Sequence, residues 1–311
     1  MLDISRKTKT LRSATAEARL TLKPETLLRI RQNDVPKGNP LEVARVAAIQ
    51  AAKTTWQIIP FCHPLPVDFA GVEFELGENE IVVSVTVKAI YKTGVEMEAL
   101  TAASVAALTL YDMLKMLDDS LEIRAVKLVD KRGGKSDYRE EPEKPLRAAV
   151  LVMSDTIAAG KKDDLSGRLI EQRLKAEGFI IEDYRVIPDD TALIRDTLIG
   201  YADAMHLDLV VTTGGTGFSP RDTTPEAMMQ VIEREIPGIP EALRSYGQER
   251  TPFAMLSRGK AGLRGRTIIL NLPGSKRGVA ESLDALFPGL LHSFAMVRGG
   301  GHPSAQGERE R

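Results

Sequence analysis

Residues 136–145 read SDYREEPEKP, a charged stretch with two prolines and no aliphatic side chain. Proline fixes φ and lacks a backbone donor, so neither a helix nor a strand should cross it. What lies on either side must fold separately. The boundary falls near residue 142, with a domain over 1–140, a linker over 141–146 and a second domain over 147–311. A chain of 311 residues suffices for two cores at roughly 100–200 residues each.

The apolar patterns on the two sides differ. Before the linker, Val72, Phe74 and Leu76 alternate, GENE makes a turn, and Ile81, Val83, Val85 and Val87 alternate. Pro24 opens a short helix, and Asn39-Pro40 begins a longer one. A small-residue apolar helix runs from about Val95 to Leu117, and a strand covers residues 123–129. Helices and antiparallel strands segregate, which predicts an α+β, ferredoxin-like domain. After the linker, AAVLVM, Ile180–Ile187, Leu209–Thr213 and Thr267–Leu272 are near-continuous apolar runs. Helical segments over Leu165–Ala176 and 191–204 separate the first three. Strands buried on both faces predict an α/β, doubly wound, mostly parallel sheet. The tail GGGHPSAQGERER is expected to fray.

Charge and composition narrow the function. The formal net charge is −1, so no global field draws nucleic acid or an anionic membrane. No apolar run approaches the ~18 residues needed to span a bilayer, and MLDISRKTKT lacks the apolar centre of a secretion signal. Cys62 is the one cysteine, which excludes an intramolecular disulfide and suits a reducing compartment. A cytoplasmic protein acting on small molecules is expected.

In the first domain, His63 sits in PFCHPL between two prolines, beside Cys62. Asp112 and Lys115 are three apart on the predicted helix and share a face. That helix is otherwise apolar, so its charges should face a site or an interface. Lys131 and Lys135 bracket Gly133-Gly134, and Lys37 precedes Gly38. Glu96 and Glu98, two apart, should not share one helix face, and either could simply favour the helix dipole. Surface lysines are usually solvated and a lone histidine is often structural, so the grouping carries the argument.

This domain resembles the MoaC family, the cyclic pyranopterin monophosphate synthases of molybdenum-cofactor biosynthesis. The carriers are LDIS, PKG, AAK ending at Lys53, PFCHPL, KTGVEMEALTAASVAALTLYDM and GGKS. The resemblance implies rearrangement of 3′,8-cyclo-7,8-dihydro-GTP with loss of pyrophosphate. It implies that Lys37, His63, Asp112, Lys115 and Lys131 act on the substrate, and that Cys62, Glu96, Glu98, Lys53 and Lys135 help bind it. The family's usual cysteine before the active lysine is Leu114 here, with no expected loss because Asp112 and Lys115 are present. Several cations suit a triphosphate, and ring opening needs a positioned proton donor or acceptor. Lys115 is expected to start protonated.

In the second domain, Thr212-Thr213-Gly214-Gly215-Thr216-Gly217 leaves a predicted strand and runs into Ser219-Pro220-Arg221-Asp222-Thr223-Thr224-Pro225. Glycines after a parallel strand let backbone amides approach phosphate, although a tight strand exit has the same composition. Thr224 could cap a helix starting at Pro225 that faces an anion. Asp155, Asp163 and Asp189 follow the first two strands. Singly, each could be a helix cap. Together they converge with Arg221 and Asp222 on the carboxyl edge of one sheet.

This domain resembles the MogA/MoaB family of molybdopterin adenylyltransferases, through MSD, DLSG, IPDD, TTGGTGFSPRDTTPEA, LSRGKAGLRG and NLPGS. The resemblance implies Mg²⁺ and ATP, transfer of AMP to the pterin phosphate, and metal-assisted chemistry at Asp189 and Asp222. It implies substrate contacts from Gly214, Gly215, Thr216, Gly217, Arg221, Ser257 and Arg258, and from the loop 271–275 with Pro273, Gly274 and Ser275. Mg²⁺ takes few carboxylates beside water and phosphate oxygens, so two aspartates suffice. Both families imply a homo-oligomer, trimer or hexamer. Two other functions fit the second domain: a non-catalytic pterin-binding or oligomerisation module, and a nucleotide pyrophosphatase.

Overall fold

A computed structural model describes residues 1–142 and 144–299; the tail from Gly300 onward and Glu143 in the linker lie outside the described residues. The chain divides into two compact units, Met1–Tyr138 and Arg139–Arg311.

The first unit runs β1 (Thr10–Thr21), α1 (Pro24–Arg31), α2 (Pro40–Ile58), β2 (Phe69–Leu76), β3 (Glu80–Tyr91), α3 (Glu96–Leu114) and β4 (Glu122–Arg132). The four strands order as β2-β3-β1-β4, and each neighbouring pair is antiparallel. This is the expected ferredoxin-like α+β arrangement. Asn39 caps α2, its side-chain oxygen accepting from the Leu41 and Glu42 amides.

Sequence patterning misses the central strand. On β1 the buried phase is Ala14, Ala16, Ala18 and Leu20, and alanine carries little strand signal. Those alanines face others on α2 (Ala44, Ala48, Ala52) and α3 (Ala99, Ala102, Ala103, Ala106, Ala107), in one core with Val83, Val85 and Val87 of β3. α3 is, against expectation, long and apolar enough to cross a membrane by length and composition alone. Its buried face, Ala99, Ala102, Ala103, Ala106, Ala107, Leu110 and Leu114, belongs to the core of this unit, while Leu108 on the other side is exposed.

The second unit runs β5 (Arg147–Met153), α4 (Asp155–Ala158), α5 (Leu165–Ala176), β6 (Ile180–Ile187), α6 (Thr191–Ile199), β7 (Leu209–Thr213), α7 (Thr224–Met229), β8 (Arg234–Glu235), α8 (Gly238–Gln248), β9 (Ala261–Arg264), β10 (Thr267–Leu272), α9 (Lys276–Leu286) and α10 (Gly289–Val297). The helix expected over 191–204 stops at Ile199 and continues as a π turn, Gly200–Ala204. The sheet order is β6-β5-β7-β10-β9-β8, with β6, β5, β7 and β10 parallel, β9 antiparallel to β10, and β8 antiparallel to β9 at the edge. α5, α9 and α10 cover one face and α6 and α7 the other. From β5 the chain crosses to β6 on one side and then to β7 on the other, so a topological switch point lies at the carboxyl ends of β5 and β7.

A buried carboxylate closes the first unit. Asp118, 2% exposed, follows α3. It accepts from the Lys23 amide at 2.7 Å, the Thr26 hydroxyl at 3.1 Å, and the Ser120 amide and hydroxyl at 2.8 and 2.7 Å. Burial opposes its ionisation, but these four bonds outweigh it and hold the group at about 2. A folded-state value below the unfolded one contributes stability that is complete above about pH 4 and lost as pH falls toward 2, about 2 kcal/mol here. Trp56, the sole tryptophan, lies in this unit and reports its unfolding. Urea midpoints read at Trp56 should fall between pH 4 and 2 for the natural chain. Asp118→Asn should be less stable at neutral pH and should fall less steeply across that window, the remaining slope coming from Asp112 and the other paired carboxylates of the unit.

Candidate functional sites

The candidate residues of the first unit form two groups, one at each end of α3. At the carboxyl end, Asp112 lies between two lysines. Its Oδ2 accepts from Lys37 Nζ at 2.9 Å and its Oδ1 from Lys115 Nζ at 2.7 Å, while its backbone carbonyl also accepts from Lys37 at 2.8 Å. The Lys115 hydrogen bond, then that of Lys37, brings the Asp112 carboxyl down to about 2. The same bond raises Lys115, which is therefore an ammonium at neutral pH, as expected from the sequence. Leu114 is fully buried in the core and cannot reach this group.

At the amino end of α3, Cys62, His63, Glu96 and Glu98 line a cavity of about 490 Å³ with Met1, Leu2 and Lys7. His63 Nε2 lies 2.8 Å from the Leu2 carbonyl; a carbonyl only accepts, so Nε2 carries the proton. Burial, then the nearby Glu96 charge, raises the Glu98 carboxyl despite a backbone bond that favours ionisation. Burial, then Glu98, raises the Cys62 thiol and keeps it protonated. Glu96 and Glu98, expected not to share a helix face, nevertheless reach the same cavity. Both stand in the first turn, where side chains fan around the open helix end, and both line this cavity. Glu96 also faces Lys131 Nζ at 3.5 Å, beside a cleft of about 90 Å³ that includes Arg12 and Gly134.

Lys53 and Lys135 are exposed and line no described cavity. Sequence reasoning missed Arg12, although a signal existed: it holds the same phase of β1 as Ala14, Ala16, Ala18 and Leu20, and is 8% exposed.

The two groups are far apart within one chain. Sixteen residues separate Glu96 from Asp112, or about 24 Å along the axis at 1.5 Å per residue.

In the second unit, the glycine turn follows β7 at the switch point. Gly214 has φ +104° and Gly215 φ +61°, which strain other residues. A Cβ on Gly214 would collide with the Met153 carbonyl, and one on Gly215 with the Thr224 hydroxyl. Glycine is therefore required here for close approach.

One side of this turn carries carboxylates. Asp189 Oδ2 accepts from the Asp155 amide at 3.3 Å, and Asp155 Oδ1 from the Asp189 amide at 3.1 Å. Arg221, largely exposed, lies 3.6 Å from Asp155. Asp222 Oδ2 accepts from the Ser219 amide at 2.8 Å. Burial first, then the charges of Asp155 and Asp222, raise the Asp189 carboxyl, against the pull of the Asp155 amide and Arg221. Asp155 is thus a close partner of the expected pair. No group of three or more His, Cys, Asp or Glu side chains among the described residues is disposed to hold a metal ion. The donor set fits a hard divalent cation only if phosphate and water complete its shell. Crowded carboxylates favour such a cation.

The other side opens into a mainly apolar cavity of about 360 Å³, lined by Thr216, Gly217, Ser257, Pro273, Ser275 and residues of α8 and α9. Two hydrogen bonds hold its rim: Ser166 Oγ to the Gly274 carbonyl at 2.8 Å and Thr213 Oγ1 to the Pro273 carbonyl at 2.7 Å. Asp163 lies in an exposed stretch before α5, which Asp164 caps.

Two expectations fail here. Thr224 does not cap α7. Its hydroxyl packs under Gly215 and, like that of Thr223, has no hydrogen-bond partner among the described residues. α7 has only six residues, so its dipole adds little, and anion contact falls to the turn's amides and Arg221. Arg258 does not line the cavity, because its guanidinium donates to protein acceptors.

Two family models match the chain: the MoaC family over residues 1–134, and a probable molybdopterin binding domain over 149–292. The chain is 42% identical over 302 residues to the molybdenum cofactor biosynthesis bifunctional protein of Chlorobaculum tepidum, covering 97% of this chain and 96% of that protein. It is 50% identical over 137 residues to the cyclic pyranopterin monophosphate synthase of Aquifex aeolicus, covering 44% of this chain and 54% of that protein. Among solved structures it is similar to the molybdopterin biosynthesis enzyme MoaB of Thermus thermophilus, at 44% identity and TM-score 0.48, over 50% of this chain and 97% of the other.

The electrostatics of Asp189 set a test. A carboxyl raised in the folded state makes the ionised form a cost to folding, and that cost disappears as pH falls and the group takes up its proton. Asp189→Asn should raise the thermal midpoint of the second unit at neutral pH, and the difference should shrink on acidification. A lower midpoint in calorimetry would contradict the assignment.

Proposed function

Because the chain belongs to the molybdenum cofactor biosynthesis bifunctional proteins, joining a MoaC-like unit to a MogA/MoaB-like unit, we propose that its two sites act at two separate steps of that synthesis. The first unit converts 3′,8-cyclo-7,8-dihydro-GTP to cyclic pyranopterin monophosphate with release of pyrophosphate. The second transfers AMP from ATP to molybdopterin and releases pyrophosphate. Sulfur insertion falls between these steps, so the fusion need not channel an intermediate.

For the first step, the observation that carries the reading is the separation of the two groups along α3. Lys37, Asp112 and Lys115 supply cations and a proton donor at one end. Cys62, His63, Glu96, Glu98 and Lys131 supply polar contacts at the other. A single chain cannot bring both ends to one substrate, so each pocket takes its lysine end from one copy and its histidine end from another. A trimer or hexamer satisfies this if the copies pair about a twofold axis or close a ring. Lys37 grips phosphate, and Lys115, held protonated by Asp112, gives a proton to the opening ring. Glu98, whose carboxyl burial raises, lies where it can hydrogen-bond the base.

For the second step, the carrying observation is the glycine turn between a carboxylate group and an apolar cavity. A flat heterocycle fills the cavity, its phosphate lies on the turn's amides, and Arg221 meets the nucleotide phosphates. Asp189 and Asp222 would hold Mg²⁺, which when bound offsets charge on the α-phosphate. Thr216, Ser257 and Ser275 give the pterin hydrogen-bond partners at the cavity wall.

Lys115→Ala should abolish pyranopterin formation and leave AMP transfer intact, and Asp222→Ala should do the reverse. Equal loss of both activities would mean a folding defect instead. Lys115→Ala and His63→Ala chains, each inactive, should recover roughly a quarter of natural activity when co-assembled in pairs, since half the pairs are mixed and each mixed pair holds one intact pocket. No recovery would end the shared-pocket reading. Incubation with molybdopterin and Mg-ATP tests the second unit. Tight pterin binding without adenylation would favour the carrier alternative, and AMP release without pterin the pyrophosphatase.

A further inference from the structure

Arg258 reaches four points along the segment that carries Asp222. Its amide donates to the Thr216 carbonyl at 3.0 Å, and its Nε to the Gly217 carbonyl at 2.8 Å. Its Nη1 donates to the Glu226 carboxylate and its Nη2 to the Asp222 carbonyl. The attachments span both ends of the loop and the first turn of α7. Thr216 and Thr224 are buried at its two ends, and between them the other ties are bonds within the loop and the exposed Arg221–Asp155 pair. Phe218 within it is 68% exposed, so apolar packing does not anchor it. The Asp222 side chain takes one further bond, from the Ser219 amide of the same loop.

We infer that Arg258 is a positioning residue that sets Asp222 relative to Asp189 and Asp155, and thereby the affinity of the second unit for a divalent cation. It does not line the apolar cavity. Its pairing with Glu226 keeps its charge balanced on the α7 side of the loop, so it does not compete with a cation at the carboxylates. The inference rests on the proposed role of those aspartates, but not on the identity of the nucleotide. Only a planar fork with donors in three directions satisfies Gly217, Asp222 and Glu226 together, so lysine cannot replace it.

Three variants of the full chain test this: Arg258→Ala, Arg258→Lys and Glu226→Gln. Amide hydrogen exchange is read over 214–226, with α5 as an internal reference, and Mn²⁺ binding is read by electron paramagnetic resonance, with and without ATP. Both Arg258 variants should exchange about ten-fold faster over 214–226 with α5 unchanged, and should bind Mn²⁺ about ten-fold more weakly, near 1.4 kcal/mol. Glu226→Gln keeps an acceptor for Nη1, so exchange over 214–226 should stay within about two-fold of the natural chain, while loss of the balancing charge should weaken Mn²⁺ binding less than either Arg258 variant does. Unchanged exchange, full rescue by lysine, faster exchange at undiminished Mn²⁺ affinity, or a natural chain that binds no Mn²⁺ would each overturn the inference. Mn²⁺ binding that ATP does not strengthen would instead overturn the nucleotide reading and leave Arg258 judged on the metal alone.

Discussion

The alanine seam between α3, α2 and β1 is the contact on which the first unit is organised. Ala99, Ala102, Ala103, Ala106 and Ala107 present little bulk, so α3 lies close to the sheet and to α2 in one packed core. Close packing leaves a helix few alternative settings. α3 thus becomes a rod of fixed direction, with Glu96 and Glu98 on its first turn and Asp112 on its last. Both groups of polar candidates are organised by its ends. A larger side chain in the seam would shift both ends together, which is a stronger constraint than any surface ion pair imposes.

The second unit reaches its site by a different route. Its four parallel strands end along one edge, and the reversal between β5 and β7 opens a crevice there. Gly214 and Gly215 turn the chain so tightly that the Met153 carbonyl and the Thr224 hydroxyl occupy the space a side chain would need. Hydrogen bonds from Ser166, Thr213 and Arg258 then pin the neighbouring loops. Asp155, Asp189 and Asp222 stand on one side and an apolar wall on the other. Burial and the neighbouring charges make the ionised form of Asp189 a cost to the folded state.

Much of this was legible in the residues. Continuous apolar runs announced the parallel sheet, alternation announced the β2–β3 hairpin, and Asn39-Pro40 announced α2. β1 was not legible, because its buried phase is mostly alanine and its pattern resembles a helix or loop. The glycine turn and its carboxylates were identifiable as a group because all follow strand ends, and strand ends share an edge. The split of the first unit's candidates was hidden, since sequence gives residue types and local spacing but not which loop meets which helix end. Arg258 was placed among ligand contacts for the same reason: an arginine beside a glycine motif does not reveal whether its fork faces a ligand or the loop itself. Arg12 could have been found, as the one charged side chain on the inward phase of its strand.

A rod that bears half a pocket at each end has a kinetic corollary. On that reading, turnover in the first unit belongs to an encounter between copies. Below the dissociation constant of the pair, its velocity falls with the square of chain concentration. The second unit draws its groups from one chain, so its velocity falls in simple proportion. Covalent fusion fixes the two at equal copy number, yet their relative output still varies with abundance.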